Sequence, residues 1–392
     1  MVCPDGWSKT KIEERLQVCA HPGLDVTQAT AQDRSLTLVG FMLDPDIPDA
    51  TDADITTRLL EEHAELGTLI AATARLGGRW VLIATYGEKK FLFHDPFGLR
   101  QAFYTDPKLT GDLWVMSQPK IGADVLNLKI DDAAQAFIDS YEFRSTSEYR
   151  WPAANTPYRE IRHLLPNHYL DLDSGSIHRY WPDRQLEKID LNDAVEQLSV
   201  LFKGLIKAAA IRFDLALAVT AGLDSRLALA ASKDVRDKIT YITVRQWMAP
   251  DDHADITVSA SLLDQLGLKH TIIKALAATT PDFSQAFKKH VFLAHDHYGK
   301  DAEAILNCID RKKVVVTGSG AEVGRSYHDL PQEYNGKITA EYLSILEDMG
   351  SNQYAIQHLQ QWMDGLGDMY NINPLDLFEW EIGSGNWLAM TQ

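Results

Sequence analysis

The residues best suited to chemistry form a short loop between an apolar run and a helical pattern. The run Leu215–Val219 has the apolar character of a buried strand, and the following loop, Thr220–Ser225, reads T-A-G-L-D-S. Small residues at Ala221 and Gly222 let backbone N–H groups approach an anion, and the next helix directs its positive end at the same place. Two hydroxyl side chains add donors. The loop therefore indicates a phosphate site without a Walker lysine. Taken alone, it also fits an ordinary strand-to-helix connection with an acidic residue near the helix N-terminus.

The elements around this loop indicate a parallel sheet. Apolar residues recur at helical spacing from Leu191 onward. After the loop, strands are predicted at residues 239–244 and 314–317, with a helix at about 256–266 between them. Strands that alternate with helices are typical of a parallel α/β sheet covered on both faces. Such sheets bind ligands beyond the carboxyl ends of their strands, which is where the loop lies.

The first half of the chain has a different pattern, made of strands and turns. Residues 78–86 and 91–95 predict a hairpin, and the period then becomes helical at about 131–141. A second hairpin is predicted within residues 161–180, around the turn Asp173–Ser176. We therefore expect two domains, residues 1–183 and 190–392, for which 392 residues with 45% hydrophobic content suffice.

Composition narrows the function classes. The formal net charge of −17 argues against a nucleic-acid partner, which normally requires clustered Lys and Arg. No run approaches the roughly 18 apolar residues of a membrane helix, and the start does not have the layout of a signal peptide, so no membrane association and a cytoplasmic location are expected. Cys3, Cys19 and Cys308 are too few and too scattered for a disulfide framework.

The loop resembles the PP-loop of N-type ATP pyrophosphatases, written S-G-G-x-D-S, with Thr220 and Ala221 replacing the first Ser and Gly. In that family the loop holds the pyrophosphate leaving group of ATP, and the resemblance implies that Asp224 helps to bind Mg²⁺. The same family includes enzymes that thiolate nucleobases, a function that would require catalytic cysteines and a basic surface. Neither is evident in the sequence.

Several further segments, in order, resemble asparagine synthetase and relatives such as β-lactam synthetase and lasso peptide cyclases. Residues 242–245 correspond to the strand that reads adenine, and residues 316–322 correspond to the S-G-E-G-A-D stretch, with Glu322 as the second magnesium carboxylate. The resemblance implies ATP and Mg²⁺ as cofactors. The residues expected to contact the nucleotide are Val219, Thr220, Ala221, Gly222, Asp224, Ser225, Val244, Gly318 and Gly320.

The first half resembles the amidotransferase domain of asparagine synthetase. Gly78-Arg79-Trp80 and the stretch 94–104, which begins H-D-P-F-G-L-R, correspond to its recurring motifs. The resemblance thus implies an α+β N-terminal Ntn-amidotransferase-like sandwich followed by an α/β parallel-sheet PP-loop domain of the adenine nucleotide α-hydrolase-like class.

The sequence also departs from this family. Its glutaminase needs an N-terminal cysteine whose own amine activates the thiol, whereas Cys3 here follows Met1 and Val2. We therefore expect no glutamine hydrolysis, and an amine substrate as the nitrogen donor. Ser319 stands where the family has the Glu of S-G-E-G, so the group that accepts the amine proton is open between Glu381 and Tyr327.

The leading hypothesis is an AMP-forming amide ligase, which adenylates a small-molecule or peptide carboxylate for attack by an amine, either between molecules or within one. The alternative is a catalytically weakened nucleotide-binding protein that acts as a regulatory or assembly partner. A homodimer or a biosynthetic partner protein is compatible with both hypotheses.

Overall fold

A computed structural model describes residues 3–145, 149–290, 296–330 and 336–389 of the chain. The chain forms two compact units. The first contains Met1–Met42, Ala50–Glu187 and Ser326–Gln392, and the second contains Leu43–Asp49 and Lys188–Arg325. This division differs from the expected domains 1–183 and 190–392, because the last segment of the chain belongs to the first unit.

The first unit is rich in strands. Its strands are β1 (Ser8–Lys11), β2 (Gln17–Ala20), β3 (Val26–Ala31), β4 (Arg34–Leu43), β5 (Gly77–Tyr86), β6 (Lys89–His94), β7 (Phe103–Thr105), β8 (Val115–Met116), β9 (Ile161–His163), β10 (His168–Asp171) and β11 (Ile177–Arg179). Its helices before residue 146 are α1 (Asp52–Glu62), α2 (Leu66–Thr73), α3 (Pro107–Thr110), α4 (Pro119–Leu126), α5 (Asp132–Ile138) and α6 (Tyr141–Ser145).

These strands form a two-stranded sheet β1-β2, a six-stranded sheet β11-β10-β6-β5-β4-β3 and a three-stranded sheet β8-β7-β9. The β5–β6 hairpin and the β10–β11 hairpin are antiparallel, as their sequences predict. Alternate residues of β5 enter two different apolar clusters: Trp80 and Leu82 pack with Leu36 and Phe93, whereas Val81 and Ile83 pack with other side chains. The six-stranded sheet is therefore buried on both faces at its centre.

The end of the chain completes the first unit. It contains α12 (Ala340–Leu346), α13 (Gln353–Asp364), α14 (Pro374–Phe378) and a π-helical segment, Glu379–Leu388. Leu343, Leu359 and Phe378 are buried in one cluster with Ala153 and Leu165. This shared core is the physical reason that the segment belongs to the first unit, and local periodicity does not reveal it.

The second unit alternates helices and strands. The elements are α7 (Leu191–Arg212), β12 (Leu215–Ala218), α8 (Leu223–Ala231), β13 (Ile239–Arg245), α9 (Ala254–Gln265), β14 (His270–Lys274), α10 (Pro281–His290), α11 (Asp296–Cys308) and β15 (Val314–Val316). The four strands form a parallel sheet in the order β14-β13-β12-β15. Neighbouring residues of β12 pack on opposite faces, Leu217 against α8 and α9 residues and Ala216 against Ala304 of α11.

The structure thus confirms the coarse prediction of antiparallel sheets in the first half and a parallel α/β sheet afterwards. Strand β14 was not predicted, since its edge position leaves Thr271 and Ile272 exposed and removes a clear apolar run. Within the part of the chain that the structure describes, no helix is both long and apolar enough to cross a bilayer.

Candidate functional site

The loop that follows β12 lies at the point where the order of the parallel sheet reverses. From β12 the chain proceeds to β13 and β14 on one side, and it later places β15 on the other side of β12. Loops leaving adjacent strands in opposite directions open a crevice at the carboxyl edge, and in open α/β sheets this crevice is the usual ligand site. The topology therefore positions Val219–Gly222 where a ligand would be expected.

The two hydroxyl groups of the loop hold its shape. The Thr220 amide donates to Ser225 Oγ (3.0 Å), the two hydroxyls share a hydrogen bond (2.9 Å), and the Gly222 amide donates to Thr220 Oγ1 (3.1 Å). Ser225 is only 5% exposed. Thr220 and Ser225 therefore organise the backbone of the loop instead of projecting as free donors.

Helix α8 begins directly from this loop, with Gly222 as its N-cap. A glycine cap has no side chain to accept hydrogen bonds from the first-turn amides, which an α-helix leaves without internal acceptors. The partial positive charge of the helix end is concentrated on these amides. The start of α8, with residues 223–225 in its first turn, is thus suited to an anion.

The Ala221 amide already has an anionic partner. It donates to Asp255 Oδ1 at 2.9 Å, and Asp255 lies in the first turn of α9. A carboxylate oxygen thereby occupies an amide that the sequence assigns to a phosphate. Asp255 was missed as a site residue, although an acidic residue at the start of the helix after β13 was visible in the sequence.

The loop after β15 lies against the start of α8. A Cβ atom on Gly318 would lie 2.5 Å from the Ser225 nitrogen and 2.9 Å from the Asp224 carbonyl carbon, so any side chain there would force the two segments apart. Gly320, with φ of +97°, precedes a 3₁₀ turn, Ala321–Gly324. The structure therefore brings two of the predicted nucleotide segments into direct contact.

The two predicted magnesium carboxylates already have partners. Asp224 Oδ2 lies 3.5 Å from Arg325 Nη2, and Glu322 Oε2 accepts a 2.8 Å hydrogen bond from the Gly320 amide. Among the described residues, no three His, Cys, Asp or Glu side chains cluster as a metal site. A partly exposed Asp224 still suits Mg²⁺, which often binds through one or two carboxylates and completes its shell with phosphate oxygens and water.

Strand β13 places Val244 beyond the end of β12, one of its two neighbouring strands. Strand β12 ends at Ala218, opposite Ile242, so Val244 extends beyond it at the carboxyl edge. The backbone of Val219 is held on both sides: its amide donates to the Ile242 carbonyl (2.8 Å) and its carbonyl accepts from Thr243 Oγ1 (2.6 Å). Val219, directly after β12, and Val244 of β13 were both predicted to contact the nucleotide, and they thus lie at the ends of adjacent strands of one sheet.

His270 supports this arrangement from β14. Its Nε2 lies 2.8 Å from Thr243 Oγ1, and since the Thr243 hydroxyl donates to Val219, the His270 nitrogen is assigned as the donor. Burial lowers the pKa of His270, which favours the neutral ring, here in the tautomer that carries its proton on Nε2. The histidine therefore links three adjacent strands of the sheet.

Glu381, one predicted proton acceptor, belongs to the first unit and is completely buried. Its Oε1 accepts from Asn167 Nδ2 and Arg179 Nε, both at 2.8 Å. Its Oε2 accepts from Arg179 Nη2 (2.9 Å) and Trp362 Nε1 (2.8 Å). Four hydrogen bonds, two of them from one guanidinium, occupy the carboxylate. This arrangement supports a structural role for Glu381.

Tyr327, the other predicted proton acceptor, is also in the first unit and is 56% exposed. Its ring meets the neighbouring His328 ring edge-on, with the ring centres 4.8 Å apart. His328 Nε2 in turn lies 2.8 Å from Glu379 Oε2, and both side chains are mostly buried. Sequence reasoning missed this His–Glu pair because its members are far apart along the chain.

The motif at the end of β6 builds a turn in the first unit. Asp95 accepts hydrogen bonds from the amides of Leu99 (Oδ1, 2.9 Å) and Arg100 (Oδ2, 2.9 Å), and Arg79 Nη2 donates to the Leu99 carbonyl at 3.0 Å. Burial lowers the pKa of both arginines, and the charge of Asp95 opposes that shift. The residues that carry the family resemblance here thus fix backbone geometry.

Comparison with known proteins gives little further information. No family model matches the chain, and no curated protein matches it. Among solved structures, glutamine phosphoribosylpyrophosphate amidotransferase from B. subtilis, complexed with ADP and GMP, is 13% identical, with 84% of this chain and 74% of that chain covered and a TM-score of 0.27. A structure described as the allosteric regulatory enzyme of purine biosynthesis is 12% identical, with 91% and 76% covered and a TM-score of 0.26. Scores this low support no inference about fold or activity.

Proposed function

We propose that this protein is an ATP-dependent, AMP-forming amide ligase of the asparagine synthetase type. The observation that carries the proposal is the start of α8, whose glycine-capped first turn lies at the switch point of a parallel sheet and contacts Gly318 of the next loop. Two glycine-containing segments converge there on amides that suit an anion. In this proposal the second unit is a PP-loop domain, and the first unit is an amidotransferase-like domain.

The nucleotide is proposed to lie along the carboxyl edge of the sheet. The amides at the start of α8 and those of Ala221 and Gly222 would hold the phosphates. The backbone at Val219 and Val244 would meet adenine, since both residues lie at the carboxyl ends of neighbouring strands. Gly318 and Gly320 would lie across the nucleotide, as in the family that the sequence resembles.

Asp224 and Glu322 are the residues proposed to hold Mg²⁺, which would supply positive charge to the phosphates. Asp224 must first separate from Arg325, and the Glu322 carboxylate must release the Gly320 amide. Each contact is a single interaction at a partly exposed side chain. Loss of an exposed ion pair such as Asp224–Arg325 costs about 0–1 kcal/mol.

In the proposed reaction a substrate carboxylate attacks the α-phosphorus of ATP, and the bond from that phosphorus to the pyrophosphate oxygen breaks. An amine then attacks the acyl carbon, AMP leaves, and the nitrogen loses a proton. The protein contributes mainly by holding the leaving pyrophosphate on preorganised amides, where developing charge is stabilised without reorganisation of the site. Of the two predicted proton acceptors, Tyr327 is the exposed one, and the saturated Glu381 supports the fold.

A second function is favoured by one set of contacts. The Ala221 amide and the Asp224 carboxylate are both occupied by other groups of the second unit, Asp255 and Arg325. A protein that binds nucleotide as a regulatory or assembly partner could keep these contacts in place. This alternative therefore predicts nucleotide binding without adenylation.

ATP–pyrophosphate exchange, measured across a panel of small-molecule and peptide carboxylates, separates the two functions. Exchange that depends on a particular acid supports the ligase. ATP binding without exchange for any acid supports the regulatory partner, and absence of nucleotide binding contradicts both proposals.

A further inference from the structure

Two cysteines that are distant in sequence meet at the start of the first unit. Strands β1 and β2 pair antiparallel, with Lys9 opposite Cys19. A turn over residues 4–7, closed by a 3.1 Å backbone hydrogen bond, returns the chain so that Cys3 Sγ lies 3.9 Å from the Ser8 carbonyl oxygen. The Cys3 thiol thus lies against β1 one residue before Lys9, the residue that faces Cys19.

The surroundings of Cys19, which include the Cys3 thiol, disfavour its thiolate. Burial, a hydrogen bond with Cys3 and the charge of a Cys3 thiolate together raise the pKa of the Cys19 thiol to about 11, against the opposing charge of Lys9. Both cysteines are reduced and half-buried, so a small reagent can reach them. Burial and the Cys3 thiol thus both favour the protonated form of Cys19.

We propose that Cys3 and Cys19 form a reversible modification site, at which a low-molecular-weight disulfide oxidises the two thiols to an intramolecular disulfide. The site lies in the β1–β2 hairpin of the first unit and is independent of the proposed nucleotide chemistry.

The chemistry proceeds by two exchanges. The Cys3 thiolate attacks one sulfur of the reagent, the reagent S–S bond breaks, and one reagent thiolate leaves, so that Cys3 carries a mixed disulfide. The Cys19 sulfur then attacks the Cys3 sulfur, the mixed S–S bond breaks, and the second reagent thiolate leaves. The two protons of the protein thiols pass to the two released thiolates, and two electrons pass from the cysteines to the reagent.

The first exchange prepares the second. A mixed disulfide on Cys3 has neither the negative charge nor the thiol hydrogen bond that raise the pKa of Cys19. Once Cys3 is modified, burial still raises the pKa of Cys19 but the two contributions of Cys3 are gone, so a larger fraction of Cys19 is the nucleophilic thiolate. The pair acts as an attacking and a resolving cysteine.

The third cysteine, Cys308, is exposed and belongs to the second unit, so Cys308→Ser gives a background in which only the pair can react. This chain is incubated with oxidised glutathione, alkylated and analysed by mass spectrometry without reduction. We expect no alkylation and an intact mass about 2 Da below that of the reduced, unalkylated chain, corresponding to two lost hydrogens. Trypsin should release peptide 1–9 linked to peptide 16–34, and dithiothreitol should separate them.

Two variants in the same background test the order of steps. Cys19→Ser should accumulate a stable glutathione adduct on Cys3, because the resolving sulfur is absent. Cys3→Ser should show no 2 Da loss. The proposal is overturned if the chain with both cysteines keeps two alkylatable thiols, if it stops at the glutathione adduct, or if the linked peptides come from two chains.

Discussion

The loop after β12 and Glu381 were both predicted to be functional from sequence motifs, yet they differ in how their polar groups are satisfied. Around Glu381, four hydrogen bonds saturate one carboxylate that has no exposed surface. At the start of α8, a glycine cap leaves backbone amides without a side-chain partner, and Asp224 has a single contact with an arginine. A saturated group holds a fold together, whereas groups that can exchange partners can bind a ligand. The comparison thus assigns stability to one region and supports the proposal of ligand binding at the other.

The largest expected effect tests the stability side of this comparison. Glu381→Ala leaves the Arg179 guanidinium, with its side chain 14% exposed, without its carboxylate partner. Removing one partner of a buried ion pair typically costs about 3–5 kcal/mol, and we expect a loss of this size in the free energy of unfolding measured with urea. Glu61→Ala, at an exposed position of α1, is the control and should change stability by less than about 0.5 kcal/mol. A stable Glu381→Ala protein with abolished exchange would reverse the assignment and make Glu381 catalytic.

The next effect tests the binding side. Asp224→Asn removes the charge proposed to hold Mg²⁺, and we expect ATP–pyrophosphate exchange to fall by about 100-fold or more, as for loss of a preorganised electrostatic group. Stability should change little, since the side chain is partly exposed and its ion pair with Arg325 is a weak surface contact. Asp237→Asn, whose carboxylate is 93% exposed in the same unit, is the matched control. Undiminished exchange in Asp224→Asn would exclude the magnesium assignment.

A smaller effect is expected from the contact between the two loops of the site. Gly318→Ala places a methyl group 2.5 Å from the Ser225 nitrogen, and overpacking of this kind costs about 1–3 kcal/mol. We expect weaker ATP binding, by about tenfold, because the start of α8 must shift. Gly324→Ala, in the same segment, would meet no atom within 4 Å and should bind ATP normally. Equal titration curves for the two variants would show that the close approach has no role in binding.

The last effect concerns pH and the first unit, and it is small near neutral pH. Burial, assisted by the charge of nearby His94, lowers the pKa of His163 to about 3, although a hydrogen bond to Asn386 opposes the shift. The unfolded chain, with a histidine pKa of about 6.5, binds this proton first as the pH falls. Stability should therefore decrease from about pH 6.5 toward pH 3, by at most about 1.4 kcal/mol per pH unit for this group. Urea unfolding at several pH values should show this slope, and His163→Gln should reduce it; an unchanged slope would assign the acid sensitivity to other groups.

Local pattern was sufficient for most elements of the second unit. Strand β12 and helix α8 follow from an apolar run, a small-residue loop and a change of period, which are all properties of neighbouring residues. Edge strand β14 was missed because three of its five residues are exposed, which weakens the apolar signal. Periodicity reports burial, and an edge strand is only partly buried.

Long-range contacts account for the rest. The place of the C-terminal helices in the first unit depends on packing against Ala153 and Leu165, and the Asp255–Ala221 and Arg325–Asp224 contacts join residues far apart in the chain. None of these pairings leaves a trace in spacing or composition. The motif predicts which loop forms the candidate site, whereas only the folded chain shows which groups of that loop already have hydrogen-bond or ion-pair partners.

The close approach of Gly318 to the start of α8 has a mechanical consequence. With no room for even a methyl group between them, the loop after β15 and the first turn of α8 cannot move toward each other, so a displacement of α8 toward that loop must push the loop ahead of it. An anion that draws the first turn in that direction would therefore shift residues 317–320 as well. The close packing at Gly318 thus couples movement of the loop after β12 to movement of the loop after β15.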